Sequence, residues 1–212
     1  MISLDIFADP VCPWCLIGKA RLDRALEARP DHPFVIAWHP FQLNPDMPAE
    51  GVERGTYLEA KFGSRNAVVD LHKPIIEAAD ALGLTIDLAA ITRIPNTLDA
   101  HRMIHWAGQE GRQTAMIAAL MRAYWREGRD IGAVAVLADL GENIGMERAL
   151  VTRLLASDAD RDTVLARDRH ARERGLNAVP SFIIANQHVV SGAQPTELWL
   201  NVIDELTGRP DV

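Results

Sequence analysis

Residues 2–18 read ISLDIFADPVCPWCLIG and hold both cysteines of the 212-residue chain, Cys12 and Cys15. Residues 2–7 alternate between apolar and polar side chains and include β-branched ones, which predicts a strand. Residues 16–26 instead place their apolar side chains at helical spacing. The Cys-x-x-Cys pair is therefore predicted to lie where a strand ends and a helix begins.

The start of that helix suits a reactive thiol. Pro13 is expected at the first helical position, where its fixed φ and missing N–H cost nothing. Cys12 then occupies the N-cap, where its sulfur can accept hydrogen bonds from the free N–H groups of the first turn. These donors and the positive end of the helix dipole favour the thiolate, and such thiols have pKa values lowered from about 8.5 to roughly 3.5–7.5. We predict that Cys12 attacks and that Cys15, one turn further on, resolves the mixed disulfide.

Other uses of the two thiols are less well matched to this position. The loop that they would close is too short to stabilise a fold, and a structural zinc site usually takes four ligands. Cys12 and Cys15 could reach four ligands with His101 and His105, which share a helix face. Two buried cysteines acting as small apolar residues are a further alternative. The junction of strand and helix favours redox chemistry, with no metal and no cofactor.

Composition narrows the class of protein. The chain has a formal charge of −7 and is 48% hydrophobic and 24% charged. An acidic chain lacks the basic face that nucleic-acid binding requires, and no apolar run approaches the ~18 residues needed to span a membrane. The N-terminus has no basic segment followed by an apolar one, as a secretory signal would. We expect a cytoplasmic protein that binds neither nucleic acid nor membranes.

The order of predicted elements indicates an α/β fold. A second strand is expected over 34–39, helices over most of 53–156, a hairpin over 181–191 turning at Asn186-Gln187, and a last helix from Pro195. Without the helical block the order is β-α-β-α-β-β-α, which is that of thioredoxin. We predict a thioredoxin-like domain formed by 1–44 and 157–212, interrupted by an all-helical insertion over 45–156.

With this motif and order, the chain resembles the DsbA-like branch of the thioredoxin superfamily, and most of all its FrnE-like group of intracellular members. The resemblance rests on the segments Phe7-x-Asp9-x-x-Cys12-Pro13-Trp14-Cys15-x-x-Gly18, Asn96-Thr97-x-x-Ala100-His101-Arg102, Val179-Pro180-Ser181-Phe182 and Gly192-Ala193-Gln194-Pro195. The related 2-hydroxychromene-2-carboxylate isomerases and kappa-class glutathione transferases share the fold. They typically carry Ser in place of the nucleophilic cysteine.

The resemblance implies a substrate-binding surface around the cysteines. The matching Val179-Pro180 bond is cis in the superfamily, and a cis proline lets the residue before it offer its N–H and C=O to an extended substrate. The helix that opens at Asn96 is expected to face the cysteines and select the substrate. The expected substrate contacts are Pro13, Trp14, Asn96, Thr97, His101, Val179 and Pro180. Asp9 is interpreted as a turn former, with a role in proton transfer as the alternative.

The leading functional hypothesis is a thiol–disulfide oxidoreductase of the DsbA family. Its partners would be protein disulfides or dithiols, or small thiols, with glutathione as an optional co-substrate. A glutathione-dependent isomerase or transferase acting on a small aromatic substrate is the alternative, and a non-enzymatic holdase is the third hypothesis. The oligomeric state stays open, with a homodimer as one option.

Overall fold

The computed structural model describes residues 1–209, which form a four-stranded sheet flanked by helices and a separate two-stranded sheet. The strands are β1 (Ile2–Ala8), β2 (Phe34–Pro40), β3 (Val52–Glu53), β4 (Arg93–Ile94), β5 (Ser181–Ile184) and β6 (His188–Ser191). The helices are α1 (Pro13–Ala28), α2 (Arg54–Phe62), α3 (Arg65–Asp80), α4 (Leu98–Gln109), α5 (Gln113–Trp125), α6 (Val134–Asn143), α7 (Arg148–Leu155), α8 (Arg161–Glu173) and α9 (Thr196–Thr207).

The N-terminal βαβ unit forms as predicted. Strands β1 and β2 pair in parallel, from Ile2 opposite Phe34 to Ala8 opposite Pro40, and α1 connects them. Parallel neighbours need such a crossover, because a short turn cannot return the chain to the same end of the sheet. The sheet order β2-β1-β5-β6 then places β5 antiparallel on the other side of β1. This order confirms the thioredoxin-like α/β fold.

The two faces of β1 pack against different layers, because successive side chains of a strand point in opposite directions. Ile6 is fully buried in the main core together with Trp199 of α9. Phe7, the next residue, packs in a smaller cluster with Ile183 and with Ala171 of α8. Strand β1 thus carries buried side chains on both faces as it leads into the segment with the cysteines.

The β5–β6 hairpin turns one residue earlier than predicted. Ala185 and Asn186 occupy its centre with φ values of 53° and 58°, and the Gln187 amide donates to the Ile184 carbonyl over 3.0 Å. Two consecutive positive φ values are typical of a type I′ turn, which matches the twist of the paired strands. The prediction of Asn186-Gln187 as the central pair is therefore wrong, because the twist of the hairpin overrides the unfavourable φ of an alanine.

Residues 45–156 carry α2–α7, in agreement with the expected helical block. Val52 also pairs with Ile94 in an antiparallel ladder of two residues per strand, so the prediction of an all-helical insertion is wrong at this point. Strands this short show no period in the sequence. Ile6 of the sheet and Met103 and Leu120 of the inserted helices belong to one buried cluster. The division into 1–44 with 157–212 and 45–156 stays a prediction.

Arg102 of α4 connects the helical block with the segment before α8. Its side chain is almost completely buried, and its guanidinium donates to the carbonyls of Leu154, Ser157 and Ala159 and to the Asp99 carboxylate. Those carbonyls lie at the end of α7 and after it, where the helix itself supplies no donors. Within residues 1–209, no helix is long and apolar enough to cross a membrane.

Candidate active site

Cys12 is the N-cap residue of α1, as predicted, and Pro13 follows at the first helical position. Its backbone is extended, with φ −85° and ψ 118°, and its side chain makes no capping hydrogen bond. The expectation that the sulfur accepts the free N–H groups is therefore wrong. The Cys12 Sγ instead lies 3.7 Å from the carbonyl oxygen of Val179, to which the thiol donates. The Cys12 sulfur thus faces the segment before β5.

Cys15 lies one turn further along α1 and is only 1% exposed, against 4% for Cys12. Both cysteines are free thiols. Burial raises the pKa of the Cys15 thiol well above its usual value, and its hydrogen bond with Cys12 and the nearby Asp9 charge raise it further. The Asp9 backbone N–H acts in the opposite direction. Cys15 therefore stays protonated at neutral pH and must lose a proton before it can attack.

The Val179–Pro180 peptide bond is cis and stands next to the start of α1. Gly18 of α1 packs directly beneath this bond, because a Cβ added there would lie 2.9 Å from the Pro180 Cγ. Arg21, one turn later, donates to the Ala193 carbonyl over 2.5 Å. These contacts of Gly18 and Arg21 with Pro180 and Ala193 join α1 to the end of the sheet.

Asp9 precedes the cysteines and is completely buried, with 0% exposure. Its carboxylate accepts hydrogen bonds from the Leu43 amide over 2.8 Å, from the Val11 amide over 3.4 Å and from the Thr97 hydroxyl over 3.4 Å. Burial raises the pKa of Asp9 to about 7, although these hydrogen bonds oppose the shift. Asp9 can therefore take up or release a proton near neutral pH, which its sequence role as a turn former does not predict.

The segment that begins α4 contacts Asp9 rather than an open groove. Thr97 and His101 are both 3% exposed, so their side chains face the interior, and their expected contact with substrate stays a prediction. The Asn96 amide donates to the Met47 carbonyl over 2.6 Å and accepts from the Leu98 amide, so Asn96 fixes the start of the helix. This arrangement results from the apolar face of α4, which buries the first turn together with the rest of the helix.

A cavity of about 180 Å³ lies beside Cys12, since Val11 and Pro13 both line it. Most of its other lining residues belong to the inserted helices and include Arg54, His72 and Tyr124. Sequence reasoning missed all three, because no motif marks them. Their shared position depends on how α2, α3 and α5 pack.

Trp14, an expected substrate contact, is 37% exposed, whereas the other tryptophans of the chain are buried. The Trp125 indole N–H donates to the Pro10 carbonyl over 3.0 Å and so anchors the loop before the cysteines to α5. Among residues 1–209, no three His, Cys, Asp or Glu side chains are grouped to hold a metal ion.

Two comparisons with known proteins cover almost the whole chain. A probable DsbA oxidoreductase from Streptomyces coelicolor is 29% identical and superposes with a TM-score of 0.86 over 100% of this chain and 92% of its own. YwbO, an uncharacterised protein of Bacillus subtilis strain 168, is 23% identical over 205 residues, which is 96% of each chain.

More distant structures share the fold. The cytosolic disulfide reductase DsbM of Pseudomonas aeruginosa, solved with GSH, has 20% identity and a TM-score of 0.70 over 97% of this chain and 99% of its own. A 2-hydroxychromene-2-carboxylate isomerase has 17% identity and a TM-score of 0.71 over 98% and 95% of the two chains. A family model described as the DSBA-like thioredoxin domain matches residues 3–204. This protein therefore belongs to the DsbA-like thioredoxin family.

Proposed function

We propose that the protein is a thiol–disulfide oxidoreductase in which Cys12 is the nucleophile and Cys15 the resolving thiol. The observation that carries the proposal is the arrangement of the two free thiols in the first turn of α1, with Cys15 buried behind Cys12 and the Val179 carbonyl against the Cys12 sulfur. The carbonyl and amide groups around Val179 lie where an extended substrate could pair with them. Family membership supports the same reaction class.

The reaction has two exchange steps. The Cys12 thiolate attacks a substrate disulfide, a bond forms between Cys12 and one substrate sulfur, and the other sulfur leaves with the electron pair. Cys15 then loses its proton and attacks Cys12, which releases the second substrate thiolate and leaves the Cys12–Cys15 disulfide. The Asp9 carboxylate is the proposed acceptor of the Cys15 proton, because it titrates near pH 7 and is close enough for its charge to affect Cys15.

The cavity beside Cys12 favours substrates with an acidic group. Arg54 is partly buried there, and its guanidinium lies 3.0 Å from the His72 Nε2. Among the residues that the structure describes, no carboxylate lies within 4.0 Å of it, whereas many other arginines are paired. A partly desolvated guanidinium without a carboxylate partner suits a bidentate carboxylate. The disulfide of a small thiol that carries carboxylates, such as glutathione disulfide, is the substrate that we propose.

Reduction of insulin by dithiothreitol, with and without the protein, tests the proposed reaction. We expect Cys12→Ser to abolish the catalysed rate. Cys15→Ser, treated with glutathione disulfide, should instead accumulate a mixed disulfide between Cys12 and glutathione, which is visible as a mass increase on Cys12. A rate of insulin reduction in the presence of the Cys12→Ser variant that equals the rate with the parent protein would contradict the proposal.

The substrate assignment needs a separate comparison of two arginine variants. Arg54→Gln should raise the KM for glutathione disulfide about tenfold or more, which corresponds to the loss of one charge-assisted hydrogen-bonded pair. Arg65→Gln, the same charge change at the exposed start of α3, serves as the control and should leave the KM unchanged. Equal effects of the two variants would argue against a specific carboxylate contact.

A second candidate is a glutathione-dependent isomerase or transferase on a small aromatic substrate. The observation that favours it is the lining of the same cavity, which combines Tyr57, Tyr124 and Trp125 with Arg54. This activity needs bound glutathione but no resolving thiol. Isomerase or transferase turnover that survives Cys15→Ser, together with no insulin reduction by the parent protein, would favour this candidate over the oxidoreductase.

A further inference from the structure

A cluster of buried polar side chains lies behind the cysteine pair. Asp9 and Thr97 belong to it, and so do His101 of α4 and Asp168 of α8, and all four are less than 5% exposed. Buried polar groups are expensive unless they are hydrogen-bonded. Most members meet this condition, since Asp9 accepts three hydrogen bonds and the Asp168 carboxylate accepts one from the backbone N–H of Gln42 over 2.7 Å.

His101 is the exception in this cluster. Its Nε2 is buried, and the part of the chain that the structure describes offers it no hydrogen-bond partner. The nearest acidic atom is the Asp9 Oδ1, at 3.7 Å. A movement of about 0.8 Å would bring the two atoms to an ordinary hydrogen-bond distance. A polar atom held at this distance from a titrating carboxylate is placed to respond to its charge.

We propose that His101 is a positioning residue for proton transfer from Cys15. Its Nε2–H donates a hydrogen bond to the Asp9 carboxylate when that group is ionised, and this hydrogen bond breaks when Asp9 takes up the proton. This inference rests on the proposed oxidoreductase function. It assigns to His101 a role in the reaction that requires no contact with substrate. His101 acts through Asp9, because a hydrogen bond from the N–H stabilises the ionised carboxylate more than the neutral acid.

The protonation states of the Asp9–His101 pair are compatible with this role. Burial lowers the pKa of His101 to about 4, so the imidazole is neutral at physiological pH and can donate from one ring nitrogen. Burial also raises the pKa of Asp9 to about 7. The carboxyl group of the pair therefore changes its charge near neutral pH, while the imidazole stays neutral.

Other titratable and charged groups face the pair from three helices. Cys15 lies on α1 and Tyr124 on α5, and both are neutral at pH 7 because burial raises their pKa values. Asp168 on α8 is an acidic neighbour, but the Arg172 guanidinium, whose Nε lies 2.8 Å from it, compensates its charge. Near pH 7, the Asp9 carboxylate is therefore the group of this cluster whose ionisation changes.

The proton and electron balance of the step is simple. Cys15–SH gives its proton to the Asp9 carboxylate, and the Cys15 sulfur forms a bond with Cys12 while the substrate sulfur leaves as a thiolate. The Asp9 carboxyl group then loses the proton to the departing thiolate or to solvent, and His101 binds the carboxylate again. The substrate disulfide is the oxidant, so no further reactant is needed.

Titration of the Asp9 carboxyl carbon by NMR, in reduced protein labelled with [13C]aspartate, tests the inference. Asp9→Asn identifies the signal. His101→Phe removes the donor and should raise the titration midpoint of Asp9 from about 7 to about 8 or higher. The midpoint of the pH dependence of the single-turnover rate with glutathione disulfide should move to the same pH. His101→Gln retains an N–H donor and should restore most of the parent midpoint.

His105→Phe is the matched control, because His105 lies one turn further on the same helix and faces Asp160 instead. The titration midpoint of Asp9 in the His105→Phe variant should equal that in the parent protein. An unchanged midpoint in His101→Phe, or an equal shift in His105→Phe, would overturn the inference. If His101→Phe does not fold, the 15N spectrum of the parent imidazole decides: above pH 8.5, roughly where Asp9 is ionised, an Nε2–H tautomer supports the proposal and an Nδ1–H tautomer refutes it.

Failure of this inference and failure of the proposed function give different experimental results. Insulin reduction that depends on Cys12, together with an unmoved Asp9 midpoint, would reject only the role of His101. Activity that survives Cys12→Ser would reject the oxidoreductase and with it the reaction in which His101 takes part.

Discussion

The buried Asp9 carboxyl group should make the protein less stable as the pH rises, and Asp9→Asn should remove this effect. Asp9 has an ordinary pKa near 3.8 when it is exposed in the unfolded chain, and burial raises the pKa to about 7 in the folded protein. Between these values the folded state binds more protons than the unfolded state. Stability contributed by this group therefore falls as pH rises through that window and stays low above it.

The size of the effect follows from the two pKa values. At pH 8 the raised pKa of Asp9 lowers the stability of the folded protein by on the order of 4 kcal/mol relative to an Asp with the ordinary pKa, and at pH 5 it lowers the stability by about 1.5 kcal/mol. The substitution also disturbs the hydrogen bond from the Leu43 amide, because a carboxamide presents one N–H₂ group where the carboxylate has an acceptor. This loss is about 1–3 kcal/mol and depends little on pH.

Urea unfolding of the reduced protein and of Asp9→Asn at pH 5 and pH 8 measures the difference. We expect the free energy of unfolding of Asp9→Asn, relative to that of the parent, to be about 2.5 kcal/mol higher at pH 8 than at pH 5. This difference holds whether the variant is more or less stable than the parent at either pH. Asp162→Asn, at an exposed carboxylate in the first turn of α8, is the control and should show no such change. A pH-independent effect of Asp9→Asn would refute the conclusion that Asp9 is ionised near neutrality at the cost of stability.

Two further predictions concern packing around the site. Arg102→Leu should lower the free energy of unfolding by about 2–4 kcal/mol in urea titrations, because it removes the buried guanidinium that donates to the carbonyls of Leu154, Ser157 and Ala159, while the rate of Cys12 alkylation should not change. Gly18→Ala should reduce the rate of insulin reduction several-fold and destabilise the protein by about 1–3 kcal/mol, since the new methyl group would press on Pro180. Parent-like activity and stability of the Gly18→Ala variant would contradict the tight packing seen here.

The segment around the cysteines shows how far local sequence reasoning extends. The alternation before Asp9 and the helical spacing after Cys15 predict β1 and α1, and Pro13 predicts where α1 begins. These elements form from neighbours in the chain, through strand periodicity and the rules for helix starts. Local pattern did not predict the partner of the Cys12 sulfur, which is Val179, 167 residues away, and not the helix N–H groups. The family resemblance, rather than strand or helix periodicity, placed Val179 and Pro180 beside the cysteines.

The sequence by itself determined the thioredoxin-like order of elements and the place of both thiols at the start of α1. Only the tertiary structure decided that Asp9 is a buried acid, that His101 faces it, and that Arg54 lines the cavity beside Cys12. The physical reason is that the charge state and the contacts of a side chain depend on the segments that exclude water from it. For Asp9 those segments include Leu43 and the first turn of α4, which are distant in sequence and meet only in the fold.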